Sequence, residues 1–112
     1  PLTHLPSMHD GIEFVAPIGT PVYTTAPGVV LRAEYAGAYG NLVEVSHADG
    51  FVTRYAHLRA LSVKPHDVLQ RHQEVGKLGN TGRSTGPHLH YEVIYKGQAM
   101  HPAKALAAWA KS

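Results

Sequence analysis

Apolar and polar residues alternate along much of the chain, in short segments separated by glycine and proline. The clearest segment is NLVEVSHA, residues 41–48, where Leu42 and Glu44 share one face and Val43 and Val45 share the other. A period of two is the pattern of a β-strand with one buried face. We therefore predict a strand here.

Five further segments are apolar or alternating and rich in β-branched residues: TPVYTTA (20–26), GVVLRAEYA (28–36), FVTRYAHL (51–58), EVGKLG (74–79) and HLHYEVIY (88–95). The Asp-Gly pair at residues 49–50 is a strong hairpin signal. Only PAKALAAWAKS, residues 102–112, reads as helix, with Pro102 suited to a first turn. Many short strands with regular turn signals predict an all-β sheet, sandwich or barrel-like core, followed by a short C-terminal helix.

Length and composition narrow the class of protein. The 112 residues suggest a single domain, 1–112, and 44% hydrophobic residues suit a globular fold. A net charge of +2 without a basic run argues against a nucleic-acid partner, and no apolar run approaches the ~18 residues of a membrane span. Cysteine is absent, which excludes disulfides and thiolate zinc sites. Because the chain starts at Pro1, we expect it to be excised from a longer protein.

Nine histidines are unusual in a chain of this size, and two of them form an H-x-H pair, His88 and His90, in a predicted strand. Alternate residues of a strand point to the same face, so these imidazoles should stand side by side. By itself the pair fits either a metal site or cross-strand surface histidines.

A second cluster upstream raises the case for metal. His9 and Glu13 are four residues apart in a stretch that we expect to be extended, and His57 lies in the strand RYAHL. A catalytic zinc takes about three ligands from imidazole and carboxylate. His9, Glu13 and one of the His88/His90 pair meet that number. The two remaining histidines could serve as base and as donor to an oxyanion.

The order and spacing of these motifs resemble a known family. HDGIEFVAPIGTPVY, YGNLVEVSHADGFVTRYAHL and GNTGRSTGPHLHYEV together resemble the catalytic domain of lysostaphin-type (LytM-like) zinc endopeptidases, which cut peptidoglycan peptides. The likeness covers nearly the whole chain. It implies a compact, mainly antiparallel β-sheet around a groove.

The resemblance also implies roles for individual residues. His9 and His90 would be ligands of one Zn²⁺, and position 13 would supply the carboxylate ligand. His57 and His88 would flank the attacking water. Of these two we favour His88 as the base, because it stands beside the ligand His90. The other would donate a hydrogen bond to the oxyanion.

One residue departs from the family pattern. The family has aspartate where this chain has Glu13, so the carboxylate sits one methylene further out. Glutamate is itself a known zinc ligand. The primary reading is a zinc endopeptidase acting on stem peptides or cross-links of peptidoglycan. The alternative is a zinc-poor degenerate domain that binds peptidoglycan or activates a cell-wall amidase. The four retained histidines favour the first.

Several other polar residues carry weaker expectations. Arg83, Ser84 and Thr85 precede the H-x-H strand and are candidates for a wall of the substrate groove. Glu92 shares the strand face of His88 and His90, and is either a partner of a ligand histidine or a solvated carboxylate. The segment Tyr39-Gly40-Asn41 is expected to be a structural turn.

Three further histidines are assigned no chemistry. His66 and His72 occupy positions where relatives have glycine, which suggests exposed turns with positive φ. His47 is expected to face solvent from its hairpin. From the resemblance, we expect a bacterial envelope location, periplasmic or extracellular, with peptidoglycan peptides as partners and with flanking regulatory domains.

Overall fold

The structure is a computed structural model that describes residues 3–5, 11–82 and 86–100. Within these ranges it contains strands and two 3₁₀ turns, Gly37–Tyr39 and Ala48–Gly50. The strands are β1 (Thr3–Leu5), β2 (Gly11–Val15), β3 (Pro21–Tyr23), β4 (Gly28–Tyr35), β5 (Asn41–Ser46), β6 (Phe51–Leu61), β7 (Val68–Leu69), β8 (Glu74–Leu78), β9 (His88–Tyr95) and β10 (Gln98–Met100). The predicted all-β class is therefore confirmed. The predicted helix at 102–112 lies outside the described residues.

All strand pairings are antiparallel and follow the order β1-β2-β9-β6-β5-β4-β7. Off this path, β10 pairs with β9, and β8 pairs with both β3 and β6. Strands β6 and β9 are thus central, with neighbours on both sides. Both strands are hydrogen-bonded to their neighbours along most of their length. Their backbone positions are therefore well fixed, and so are the positions from which their side chains extend.

Successive side chains of β9 point to opposite faces of the sheet, so core residues alternate with residues of the candidate site. Leu89, Tyr91 and Val93 are buried in the hydrophobic core. The intervening residues point to the opposite face of the sheet. Strands β5 and β6 add Val43, Val45, Phe51 and Tyr55 to this core. One face of the sheet therefore packs the core, and the other presents His88, His90 and Glu92.

The predicted hairpin between β5 and β6 is present. Asp49 and Gly50 both have positive φ, 62° and 84°, which is the geometry of a tight hairpin turn. His66 and His72 also have positive φ, 78° and 61°, and both are exposed, as expected for turn residues.

The expectation for His47 was wrong. This side chain is buried, with its Nδ1 2.8 Å from the Pro27 carbonyl oxygen and its Nε2 2.7 Å from Thr53 Oγ1. Thr53 Oγ1 also lies 2.8 Å from Tyr55 OH. Burial lowers the pKa of His47, although the hydrogen bond to Pro27 opposes the shift. His47 thus belongs to a buried polar network on the core side of the sheet.

Three short strands, β1, β7 and β10, had no clear signal in the sequence. Each has two or three residues, too few for alternation to be visible. In the part of the chain that the structure describes, no helix has the length and apolar character needed to cross a membrane.

Candidate active site

The pairing of β2 with β9 brings the first site residues together. Glu13 lies directly opposite His90, and Val15 lies opposite His88. The Glu13 carboxylate contacts His90 Nδ1 through Oε1, and its Oε2 is 2.9 Å from His88 Nε2. Glu13, His88 and His90 therefore lie close together, as predicted, because of the register between β2 and β9.

His57 reaches the same face through a β-bulge in β6. Two steps along β5, from Val43 to Asn41, correspond to three along β6, from Tyr55 to Leu58. An extra residue of this kind re-aims a side chain. His57 has φ 64°, a left-handed conformation that is costly for a residue with a Cβ. As a result its ring centroid lies 5.0 Å from that of His88 and 6.2 Å from that of His90.

The loop after β8 fixes the direction of the His57 ring. His57 Nδ1 donates to the Thr81 carbonyl oxygen at 2.7 Å, and Thr81 Oγ1 donates to the Leu58 carbonyl oxygen at 2.7 Å. Gly82, with φ +73°, lets this loop lie against the 3₁₀ turn: a Cβ there would be 2.2 Å from Gly40 N. Close packing of two loops thus holds a strained histidine in place.

Each of the three imidazoles has one nitrogen occupied by an acceptor at the rim of the site. For His57 this is the Thr81 carbonyl, and for His88 it is the Gly86 carbonyl, 2.7 Å from Nδ1. His90 Nε2 is 2.9 Å from Glu92 Oε2. A neutral imidazole that donates from one nitrogen carries a lone pair on the other. These contacts therefore make His57 Nε2, His88 Nε2 and His90 Nδ1 acceptors when the rings are neutral.

The Glu13 carboxylate lies among these acceptors. Its Oε2 is buried and, among the described residues, has no hydrogen-bond partner; the contact with His88 is close but not aligned as a hydrogen bond. Burial raises the pKa of Glu13, but the hydrogen bond and charge of His90 outweigh burial, so the pKa is lowered. The hydrogen bond to Glu13, followed by that to Glu92, raises the pKa of His90 to about 9. The site is thus a cluster of acceptors that favours a positive charge.

Imidazole nitrogen and carboxylate oxygen are the ligand types that zinc prefers in proteins without thiolates. Glu13, His88 and His90 match zinc in chemical kind. However, Glu13 touches both imidazoles directly, and no group of three or more metal-binding side chains within the described ranges is already spaced to hold an ion. Admitting one requires the carboxylate to turn aside. His9, the third expected ligand, lies outside the described residues.

A cavity of about 220 Å³ opens over this cluster, lined by Glu13, Ala38, Tyr39, His57 and His90. Tyr39 is therefore more than the structural turn residue expected from the sequence. Its hydroxyl donates to Glu92, 3.2 Å from Oε1 and 3.3 Å from Oε2. Asn41 has a structural role, since its side chain donates to the Leu58 carbonyl oxygen at 3.0 Å.

The structure brings together four of the predicted site residues: Glu13, His57, His88 and His90. Arg83, Ser84 and Thr85, the predicted groove wall, lie outside the described residues, as His9 does. Glu92 was expected to be either a partner of a ligand histidine or a solvated carboxylate. Its contact with His90 favours the role of partner.

Sequence reasoning missed a charged row behind the site. Arg54 Nε donates to Glu44 Oε2 at 2.6 Å, and Arg54 Nη1 donates to Glu92 Oε1 at 3.2 Å. The sequence did contain a signal for this row. Glu44 and Arg54 are charged residues in the middle of two alternating strands, and the Asp-Gly hairpin makes these strands neighbours. Charged side chains at such positions need partners when they are partly buried.

Comparison with known proteins agrees with this geometry. The family described as "Peptidase family M23" matches residues 7–102. Peptidoglycan DD-endopeptidase ShyA of Vibrio cholerae is 44% identical over 112 residues, which are 100% of this chain and 26% of that protein. The chain thus spans about a quarter of the length of this curated relative.

Two solved structures show the same fold. A zinc-containing peptidase from Vibrio cholerae is 39% identical with a TM-score of 0.79, over 82% of this chain and 28% of that one. The catalytic domain of lysostaphin from Staphylococcus simulans is 33% identical with a TM-score of 0.83, over 89% of this chain and 80% of that one. Since the family match covers most of its length, the chain belongs to peptidase family M23.

Proposed function

We propose that this chain is a zinc-dependent endopeptidase domain that hydrolyses peptide bonds in the stem peptides or cross-links of bacterial peptidoglycan. The observation that carries the proposal is the ring of acceptors on Glu13, His57, His88 and His90. The rim-facing nitrogens of the three histidines are occupied, and one buried oxygen of Glu13 has no hydrogen-bond partner among the residues that the structure describes. Such a cluster is stabilised by a cation.

The proposed ligands are His9, Glu13 and His90. His90 Nδ1 and the Glu13 carboxylate would hold the ion, and Glu92 would accept the hydrogen bond that His90 Nε2 donates. A carboxylate behind a ligand histidine is a common outer partner in zinc sites. When bound, zinc supplies Lewis-acid chemistry: it polarises the scissile carbonyl and makes a water molecule more acidic.

His57 and His88 are the proposed catalytic pair, and the structure supports a division of roles opposite to that expected from the sequence. Burial lowers the pKa of His57, although its hydrogen bond to Thr81 opposes the shift. With Nδ1 donating to Thr81, a neutral His57 has Nε2 ready to accept the proton of water. His88, whose Nδ1 is held by the Gly86 carbonyl in the same way, would donate from Nε2 to the oxyanion in its protonated form.

The proposed surroundings follow from the substrate. Peptidoglycan lies outside the cytoplasmic membrane, so the domain would act in the periplasm or outside the cell. The relative ShyA is named a peptidoglycan DD-endopeptidase and is about four times as long as the aligned region. We therefore propose that flanking domains regulate access to the cavity.

The test combines metal content with product analysis. The chain, purified without chelator, is assayed for zinc by atomic absorption and is incubated with purified peptidoglycan, whose fragments are identified by mass spectrometry. We expect about one zinc per chain, peptide-bond cleavage, loss of cleavage with a chelator and recovery with Zn²⁺. A metal-poor chain that binds peptidoglycan without cutting it would support the degenerate-domain alternative.

A further inference from the structure

Three charged residues form a row directly behind His90. Arg54 on β6 is opposite Glu44 on β5 and opposite Glu92 on β9, so three adjacent strands place the row on one face. Arg54 donates to Glu44 Oε2 at 2.6 Å and to Glu92 Oε1 at 3.2 Å. The guanidinium therefore uses separate nitrogens to hold both carboxylates.

The row determines how Glu92 can be oriented. Its Oε1 accepts from Arg54, and its Oε2 is 2.9 Å from His90 Nε2. The Tyr39 hydroxyl closes the remaining side, and the Arg54 guanidinium carbon lies 5.8 Å from the centre of the Tyr39 ring. With Oε1 taken, only Oε2 is directed at His90.

The orientation of Glu92 in turn sets the chemistry of His90. A neutral imidazole that donates from Nε2 presents the lone pair of Nδ1. Nδ1 is the atom that contacts Glu13, to which it donates when the ring is protonated. If Glu92 rotated away, the ring would lose the partner that selects this tautomer. The partner of the second nitrogen commonly fixes both the tautomer and the ring orientation of a metal ligand.

We propose that Arg54, anchored by Glu44, is a positioning residue of the metal site that acts through Glu92 on His90. The inference rests on the proposed function, because His90 needs this alignment only if it binds zinc. This role of Arg54 differs in one respect from that of an arginine in a purely structural ion pair. A structural pair would stabilise the sheet, whereas a positioning residue also sets the affinity for zinc.

Zinc affinity of the folded protein is the test, with matched variants. Arg54→Met removes the hydrogen bonds to Glu44 and Glu92 together with the longer one to the Tyr39 hydroxyl. Arg54→Lys keeps the charge but loses the planar fork that reaches two carboxylates. Arg32→Met is the control, since Arg32 on β4 also pairs with a carboxylate, Glu34, at 2.7 Å, but on an exposed surface. Metal-free proteins are titrated with Zn²⁺ against a competing chelator, after circular dichroism has shown that they are folded.

We expect Arg54→Met to weaken zinc binding by up to about 10-fold, the lower end of the effect of losing an outer partner, because Glu92 itself remains. Arg54→Lys should weaken it less. Arg32→Met should bind like the wild type. Nitrogen-15 NMR of the histidine rings in the zinc-loaded proteins should show the His90 signals shifted in the Arg54 variants alone. These two readouts do not respond to sheet stability as such.

Two negative results have different meanings. If the wild type binds zinc and the folded Arg54 variants bind it as tightly as Arg32→Met does, the positioning role is refuted while the zinc site stands. If the wild type itself binds no zinc, the proposed function fails and this inference fails with it. Should Arg54→Met not fold, Arg54→Lys decides the question alone, since unchanged affinity and unchanged His90 signals would refute the role.

Discussion

Glu13 and His90 lie directly opposite each other in the pairing of β2 with β9, and the carboxylate of one contacts the Nδ1 of the other. The second oxygen of Glu13 is 2.9 Å from His88 Nε2. Glu13 thus spans both histidines of the H-x-H pair. The length of this one side chain determines how much space remains for an ion between them.

Glu13→Asp should keep zinc bound and change activity only modestly. The carboxylate keeps its charge, and removing one methylene withdraws it by about one C–C bond, ~1.5 Å, from the imidazoles. Zinc content and the clearing of a peptidoglycan suspension are measured beside the wild type. Glu13→Ala, which lacks the carboxylate, should bind zinc more weakly. A wild type that is metal-poor and inactive, with both properties gained by Glu13→Asp, would establish the degenerate alternative.

His90→Ala should abolish stoichiometric zinc. The change removes a proposed ligand and also the group that links Glu13 to Glu92. His66→Asn is a suitable control, because it removes an exposed imidazole that does not line the cavity, and asparagine tolerates the positive φ at this position. Zinc per chain is measured after dialysis. One zinc per chain in His90→Ala would show that the ligand assignment is wrong.

His57→Ala and His88→Ala should retain zinc and lose peptidoglycan hydrolysis by about 10²-fold or more, the usual effect of removing a general base or a key donor. Alanine at residue 57 would be strained by the left-handed backbone. His57→Asn suits that backbone better, and so separates loss of the imidazole from loss of the fold. Wild-type rates in both alanine variants would remove the proposed mechanism.

Acid should destabilise the fold through His47. Burial lowers its pKa in the folded protein, so near and below pH 6.5 the unfolded chain binds a proton that the folded chain does not. Stability due to the neutral side chain is therefore full above pH 6.5. It is lost as pH falls below that value, by at most about 1.4 kcal/mol per pH unit, until the folded pKa is reached.

The measurement is urea unfolding between pH 7.5 and 5 for the wild type and for His47→Gln. Burial also lowers the pKa of His57, which adds a slope of the same sign to both proteins. The difference between the two proteins isolates His47, and we expect the Gln variant to have the shallower dependence. Equal slopes would mean that His47 does not titrate between the folded and unfolded states.

Much of the site was predictable because strand alternation is a local property. His88, His90 and Glu92 are two residues apart from one another along the strand, so the sequence alone predicted that their side chains share one face. The opposite position of Glu13 was not predictable from spacing, since pairing register depends on residues far apart in the chain. The ligand count of a catalytic zinc and the resemblance to a family both linked His9 and Glu13 to the H-x-H pair, but neither gave the register of the strands.

His57 and His47 show two ways in which alternation misleads. His57 faces the site because a bulge with positive φ turns it there, and no residue type near it signals a bulge. His47 was assigned to solvent because it ends a hairpin strand, yet Thr53 and the Pro27 carbonyl provide buried partners. Both outcomes depend on tertiary contacts that a single-sequence pattern does not contain.

On β9, site residues and core residues alternate one by one, so each proposed ligand or partner is flanked by side chains that hold the domain together. The strand has no separate segment that could loosen around the site while the core stays packed. Unfolding of a small domain of this kind is usually cooperative. On heating, the geometry of the histidines and the packing of Leu89, Tyr91 and Val93 should therefore be lost in a single transition.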